Sequence, residues 1–401
     1  MQTIESIKDF QMNKTLKVIM ELGPISRIDI SKKLGIPQPT VTRITEKLIE
    51  EGLIRENGFG FSSAGRRPVL LEFNPTCYYS IGVELGRSAI KIAVTDLRGQ
   101  ILSFHQQMTN NKGKISDLVA YINRTINDLL MKASISDEDV LGVGFGIPGP
   151  LTETPDGLLS LPNFYDEKEI PLKKILQQRI KYPVIFDINA NAAALAEKWF
   201  GKGRGFQNIL YIMADAGIGS GIIMNGDIYR GSHKEAGIVG HSTIDINGEK
   251  CSCGNYGCLE TLVSVTKVIT HVQRKLKLNS NDEYFKDKTS NLDVSNITLE
   301  DVFSAYAGGS TIASEALEEA GLYLGIGVAN LISFFDPELV IIGGRLGNKE
   351  VDIAKTVESV INKRVLGNGG RKTPVISSDF TEGVVLGAAA LVINESFSFF
   401  N

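Results

Sequence analysis

The stretch ILYIMADAGIGSGIIMNGDIY, residues 209–229, decides how the body of this chain is read. Ile209–Met213 is an apolar run of strand length, Asp215–Gly221 is a glycine-rich turn, and Ile222–Tyr229 returns as a second strand. The same order occurs upstream. SIGVELGR (80–87) and AIKIAVTD (89–96) predict a hairpin, followed by a third strand near Ile101 and a helix over about 116–133. An apolar strand, Val140–Phe145, then runs into the turn Gly146-Ile-Pro-Gly-Pro150. In the second half, a helix over about 314–334 leads to Leu339-Val-Ile-Ile-Gly-Gly344. Hairpin, helix, strand and glycine turn thus occur twice, which predicts two similar α/β lobes with a cleft between them. The polar stretch 276–300 reads as a surface insertion without chemistry of its own.

Residues 241–260 read HSTIDINGEKCSCGNYGCLE. Three of the four cysteines and one of the four histidines fall in this stretch, at His241, Cys251, Cys253 and Cys258. One imidazole and three thiolates are the ligand set of a closed tetrahedral zinc site. Four protein ligands leave no open position for water, so the expected zinc is structural, one per chain, and fixes the loop that presents Glu260. The remaining cysteine, Cys77, starts an apolar strand and reads as a buried small hydrophobe.

Length and composition bound the rest. A chain of 401 residues is too long for one typical domain. With 43% hydrophobic and 22% charged residues it reads as globular. No apolar run has the length of a membrane span, and the first residues lack the apolar core of a signal peptide, so the expected location is cytoplasmic, without a membrane. The net charge of −4 is uneven. Residues 1–72 hold 11 Lys+Arg against 9 Asp+Glu, a mildly basic head on an acidic body.

That head has its own pattern. Leu16, Ile19, Met20 and Leu22 lie at helical spacing, and Gly23-Pro24 stops the helix. Ser26-Arg-Ile-Asp29 opens a second helix with a capping-box-like pattern; Ile30 and Leu34 face inward and Gly35 ends it. Pro37 starts a third helix with Val41, Ile44, Leu48 and Ile49 on its apolar face. The exposed start of that helix offers Gln38, Thr40, Thr42 and Arg43, side chains suited to base edges and phosphates. Leu53–Arg55 and Val69–Phe73 read as two short strands around a tip carrying Arg66 and Arg67. Helix, turn, helix and wing form a DNA-reading module, against the alternative of a plain three-helix bundle. The tip arginines reach either a narrow minor groove or phosphate alone.

The motifs GRRPVLLEFNP, GFGIPGP, NANAAALAEKWFG, AGIGSGIIMNGDIYRG, GHSTIDINGEKCSCGNYGCLE and VIIGG together resemble the ROK family, over nearly the whole chain. That family unites sugar kinases with sugar-responsive repressors of the NagC/XylR type, and only the repressors carry the N-terminal winged helix-turn-helix. The resemblance implies the fold: an α/β protein with a winged helix-turn-helix (residues 1–75) and a two-lobed actin-like ATPase (ROK) body. The first lobe spans 76–200 and is completed by the C-terminal helix at about 381–396. The second spans 201–380 and holds the zinc loop 241–260. The resemblance assigns the zinc ligands to His241, Cys251, Cys253 and Cys258, and a sugar hydroxyl to Glu260 and to the second nitrogen of His241.

Departures from the kinase pattern decide the expected function. The position of the kinase's proton-accepting aspartate is Asn189, an amide that cannot act as a base, so no catalytic residue is expected. The preceding sugar-binding Asn is Ile188, and the sugar-binding Glu of the segment before His241 is Ile238. The first phosphate loop is Glu84–Ser88. The second, Asp215–Gly219, has gained a carboxylate that would repel ATP. Asn163 and the turn Gly146–Pro150 remain as cleft-lining groups, and Asn163, Asn189, His241 and Glu260 are the expected effector ligands. The reading is a cytoplasmic repressor without kinase activity. Its expected partners are operator DNA, a small carbohydrate or polyol effector, and a second copy in a homodimer, with a tetramer left open. Two alternatives stand beside it: an active ROK sugar kinase with a DNA-binding head, and a constitutive DNA-binding protein with a vestigial pocket.

Overall fold

The computed structural model describes residues 10–61, 67–86, 88–109, 114–149, 152–153, 159–160, 169–278, 282–286, 294–365 and 372–397. By internal contacts the chain divides into two units, one running to Pro148 and taking in Glu153–Asp187 and the segment from Val385, the other comprising Gly149–Thr152 and Ile188–Val384.

Within the first unit the head packs three helices, Phe10–Leu22, Arg27–Leu34 and Gln38–Glu50, against a three-stranded sheet. The strands Ile54–Phe59 and Val69–Phe73 form the wing, and the two-residue strand Ile25–Ser26, which no sequence pattern signalled, pairs on the far side of Val69–Phe73. Ser26 caps the second helix: its Oγ accepts from the Asp29 amide at 3.2 Å and donates to Asp29 Oδ2 at 2.6 Å. Leu16, Ile19, Ile30, Val41, Ile44, Leu48, Leu53, Leu71 and Phe73 form the buried core. Leu34 and Ile49, expected inside, are only half-buried. Thr45 is fully buried in their stead, where its hydroxyl accepts from Arg27 Nε at 2.9 Å. Arg27 also reaches Glu56, so one guanidinium joins the second helix, the third helix and the wing.

The rest of the first unit is built around a five-stranded sheet, in spatial order Val184–Ile188, Val140–Ile147, Tyr79–Leu85, Ala89–Asp96, Ile101–Met108. The hairpin is antiparallel, and Val140–Ile147 joins it in parallel. The helix Ile115–Ala133 buries Leu118, Val119, Ile122 and Ile126. The C-terminal helix Gly383–Phe397 lies where the strands have no side chains: a methyl on Gly82 or Gly144 would overlap the carbonyl of Val385 or Ala388.

The second unit repeats the pattern, in the order Asp227–Ile228, Ile218–Met224, Ile209–Ala214, Leu339–Gly343, Val375–Ser377. Alternation sorts its side chains. Leu210, Ile212, Val340 and Ile342 enter a large core with the helices Val265–Leu278, Leu299–Gly308, Thr311–Phe335 and Ile353–Arg364. Ile209, Tyr211 and Ile341 pack with Ala193 and Ala194 on the other side. The alanine-rich helix Asn189–Phe200 therefore belongs to this unit, and the contact boundary falls at Asp187/Ile188 instead of near 200. The reason is close approach: a methyl on Gly221 would overlap the Ala190 carbonyl and lie 2.5 Å from Ala194 Cβ. The stretch 276–300 is also more than a surface insertion. Phe285, Val294, Ile297 and Leu299 are buried in the large core, where isolated apolar residues anchor an otherwise polar segment.

Gly144→Ala tests the close packing in the first unit. We expect a loss of about 1–3 kcal/mol or more in urea unfolding, the usual scale of overpacking, because the obstacle is backbone and cannot rotate away. Wild-type stability would contradict the packing.

Candidate effector site and metal-ligand cluster

The strand Ile218–Met224 is the hub of a polar constellation within the second unit. On its glycine face lies the start of the helix Asn189–Phe200: a methyl on Gly219 would touch Ala190 Cβ at 3.6 Å. Along its edge runs the segment 237–241, where the Ser220 amide donates to the Gly237 carbonyl at 2.8 Å. Gly237 has φ +94, and a methyl there would overlap the Ser220 carbonyl. At its start the Ile218 amide donates to Glu260 Oε2 at 3.1 Å. Asn189, Ile238, His241 and Glu260 are thus gathered around three successive residues, Ile218, Gly219 and Ser220.

Asn189 is the first residue of its helix, and Ile188 is the N-cap. The Asn189 Oδ1 is buried and has no hydrogen-bond partner among the described residues. Native interiors rarely leave such an acceptor unmet, at a cost of about 1–3 kcal/mol, unless a ligand or water completes it. Ile188 is half-buried, and its Cγ2 lies 3.5 Å from where a methyl on Gly149 would stand, so Gly149 comes against this apolar side chain. Ile238 is likewise half-buried. Asn163 and Arg66 lie outside the described residues. Asp187 is buried and ends the first unit's share of the strand.

The four expected metal ligands converge. His241, Cys251, Cys253 and Cys258 bring their donor atoms within 4.8 Å of one another. His241 Nδ1 lies 3.5 Å from Cys251 Sγ, and Cys253 Sγ lies 3.7 Å from Cys258 Sγ. Zn–S bonds near 2.3 Å and Zn–N bonds near 2.0 Å in a tetrahedron put donors roughly 3.5–3.8 Å apart, so this set fits a zinc ion. Local backbone makes the convergence possible. The Cys251 amide donates to the Asn255 carbonyl at 2.7 Å, closing the turn around Cys253. Gly257 has φ +61, and a methyl there would overlap the Asp245 carbonyl. Cys251 and Cys258 are buried and Cys253 is exposed. Burial and the two neighbouring thiols push Cys258 up to about 12. Burial acts upward on Cys251 too, but hydrogen bonds from Cys253, Cys258 and His241 bring it down to about 7. Cys258 is also the N-cap of the short helix Leu259–Val263, which places Glu260 two residues from a ligand.

The glycine turn shows a pairing that no sequence pattern reveals. Asp215, expected to stand as an added negative charge, is clamped by Arg345. The guanidinium donates to Asp215 Oδ1 at 3.0 and 2.7 Å, and the Arg345 amide donates to Oδ2 at 3.2 Å. The Asp215 hydrogen bond raises the Arg345 pKa. Asp215 and Arg345 follow the neighbouring parallel strands Ile209–Ala214 and Leu339–Gly343, which explains how residues so distant in sequence meet. The expected repulsion of phosphate by Asp215 is therefore softened by its partner. The carboxylates of Asp215 and Glu260 both lodge on turn amides, those of Ala216 and Ile218. The first phosphate-loop carboxylate, Glu84, pairs with Lys91 across its hairpin.

In the head, Gln38 and Arg43 are exposed at the start of the third helix and Thr40 and Thr42 are half-buried beside them. Arg67 is exposed on the wing.

Comparison with known proteins agrees with this architecture. The ROK family model matches residues 80–395, and a winged helix-turn-helix DNA-binding model matches residues 13–55. The xylose repressor of Caldicellulosiruptor bescii is 34% identical over 393 residues, 97% of each chain. The crystal structure of a ROK family transcriptional regulator, a homolog of the E. coli MLC protein, superposes with a TM-score of 0.80 at 28% identity over 97% of each chain. A ROK family glucokinase from Streptomyces griseus, in complex with glucose and AMPPNP, gives 0.64 at 28% identity, over 78% of this chain and 98% of its own. The chain belongs to the ROK family. Within it, the chain carries a winged helix-turn-helix DNA-binding head and matches, nearly end to end, proteins named as repressors and transcriptional regulators.

Glu260 gives a direct test of the hub. Glu260→Ala removes the acceptor of the Ile218 amide, whereas Glu260→Gln keeps one. Hydrogen exchange at Ile218 should accelerate clearly in the alanine variant and little in the glutamine variant. Equal exchange in all three proteins would contradict the contact.

Proposed function

We propose that this chain represses transcription from operator DNA as a zinc-braced homodimer, and that a small neutral carbohydrate bound at the Asn189–His241–Glu260 constellation changes its operator affinity without being phosphorylated. The observation that carries this reading is the buried Asn189 Oδ1, without a partner among the described residues: an acceptor set out for a hydroxyl in a place where an amide cannot take a proton.

Each residue then has a stated part. His241, Cys251, Cys253 and Cys258 would hold zinc, which supplies a rigid cross-link between the segment 237–241 and the loop 251–258. His241 Nδ1 faces the thiols, which leaves its Nε2 for a sugar hydroxyl. Glu260, oriented by the Ile218 amide through Oε2, keeps Oε1 for a second hydroxyl. Asn189 accepts from a third. Ile188 and Ile238 offer apolar contact where a polyol binder would offer more hydrogen bonds. Gln38, Thr40, Thr42 and Arg43 read base edges and phosphates in the major groove, and Arg67 with Arg66 serves the wing. The effector shifts operator affinity through its different affinity for two states of the protein, which operates in the cytoplasm where the DNA lies. The name of the xylose repressor puts xylose first among effectors to try.

Purified protein should carry about one zinc per chain by elemental analysis, as a filled four-ligand site requires. Cys253→Ser should carry little. A thermal-shift screen over xylose, glucose, N-acetylglucosamine and 6-deoxy sugars should find at least one ligand that raises Tm by roughly several degrees at about a hundred times its Kd. The same sugars with ATP should give no ADP release above background. Sugar-dependent ADP release would establish the kinase instead, and a screen without any stabilising sugar would favour a constitutive DNA binder.

A further inference from the structure

The wing of the head exposes two aromatic rings. Phe61 is 95% exposed and Phe59 is 66% exposed, although the head has a well-filled core that takes Ile54, Leu71 and Phe73 from the same two strands. The pairing of the strands explains why the rings stay outside. Phe59 pairs with Val69, and the Gly60 amide donates to the Pro68 carbonyl at 2.8 Å, which brings Phe61 and Arg67 next in line at the distal end of the hairpin. Phe59 shares its face with its partner Val69, and Phe61 follows two residues on, just beyond the strand's end. Gly60 lies between them, where a methyl would meet Leu70 Cδ2 at 3.2 Å and Pro68 Cγ at 3.3 Å. Val69 leads on to Leu71 and Phe73 of the same face, which fill the core, so the two rings stand beyond the outer end of that core, where the described part of the head does not cover them.

Charge indicates what covers that side. The carboxylates of the wing are engaged within the head: Glu72 accepts from Arg55 Nε at 3.0 Å, which with Asn57 holds its carboxyl below the usual range, and Glu56 pairs with Arg27. Arg67 is exposed and has no ion-pair partner among the described residues. The distal wing therefore presents an apolar face with an uncompensated cation beside it, continuous with a module that binds DNA. A polyanion with an apolar interior wall has that complementarity. The minor groove offers phosphates on its rims and deoxyribose and base-step surface within, and exposed Phe side chains there act as wedges.

We propose that Phe61 is a DNA-binding residue that inserts against a base step or the deoxyribose wall of the minor groove, seated by Phe59 behind it and held in register by Arg67 on the phosphates. This rests on the DNA-binding reading of the head and adds an apolar contact to it. An apolar wedge releases no counterions, so it differs from an arginine contact in its salt dependence.

The test uses full-length protein and duplexes selected from a random pool by the wild type. Phe61→Ala should weaken binding to the selected duplex about tenfold, a loss of about 1.4 kcal/mol, with the slope of log K against log salt unchanged. Phe61→Trp should keep most of the affinity. Arg67→Ala should flatten the slope by about one unit. A 2-aminopurine scanned along the duplex should brighten at one step with wild type and stay dark with Phe61→Ala. Because Phe61 is outside the core, its variants should melt like wild type, which keeps the comparison clean. Wild-type affinity in Phe61→Ala would overturn the proposal, as would an equal loss with a flattened slope. Unchanged DNA binding with weakened self-association in sedimentation would mark a protein contact and overturn it too. Failure of the wild type to select any duplex would remove the DNA-binding reading itself.

Discussion

The close approach of three segments to one strand governs the whole second unit. Ile218–Met224 carries glycine at 221, and there the helix Asn189–Phe200 comes near enough for its backbone to meet the strand. Gly237 and Gly240 bring a second segment onto the strand edge in the same way, since a methyl on Gly240 would overlap the Ile218 carbonyl. Glu260 closes the third side by accepting from the Ile218 amide. Without those small residues, Asn189, His241 and Glu260, the groups proposed to share one ligand, would sit about a side chain's width farther apart. A recognition site needs its groups held to within a fraction of an ångström, and here backbone packing holds them.

The metal-ligand cluster completes that constraint where packing alone is weak. The loop 241–258 is short of apolar side chains: Ile246 and Tyr256 are exposed, and turns at Gly254 and Gly257 run through the left-handed region. A segment of this kind has little burial to offset its conformational entropy. Four convergent donors able to hold a metal would, with the proposed zinc, stand in for a hydrophobic core, and the helix that carries Glu260 begins at one of them. The pair Asp215–Arg345 acts on the neighbouring glycine turn, with the guanidinium holding the carboxylate on the turn instead of leaving it open. The turn keeps the glycines of a phosphate loop while its amides at Ala216 and Ile218 are met by the protein's own carboxylates.

Much of this was legible in the chain, for local reasons. Short apolar runs and glycine turns reveal the two sheets because each strand's pattern is set by its own neighbours. The spacing of Cys251, Cys253 and Cys258 reveals the cluster because ligand chemistry tolerates few alternatives. What stayed hidden depends on contacts distant in sequence. Arg345 has no local mark as the partner of Asp215, which it meets only because two strands lie parallel. Thr45 reads as one more polar residue of a DNA-facing helix until Arg27 comes over it. Phe285, Val294 and Ile297 are too sparse to show a period, yet each fills the core. The helix after Asp187 looked like the end of the first lobe because it follows that lobe's last strand, whereas its alanines fit the glycines of the next.

The central claim is that a metal-held loop makes recognition of a neutral sugar possible and that this recognition is felt at the operator. It is tested most directly by measuring operator affinity against sugar concentration in zinc-loaded and zinc-stripped full-length protein. The account predicts that sugar changes the affinity of the loaded protein at least severalfold, a coupling of about 1 kcal/mol or more, and leaves the stripped protein's affinity unchanged. An equal response in both preparations would contradict it.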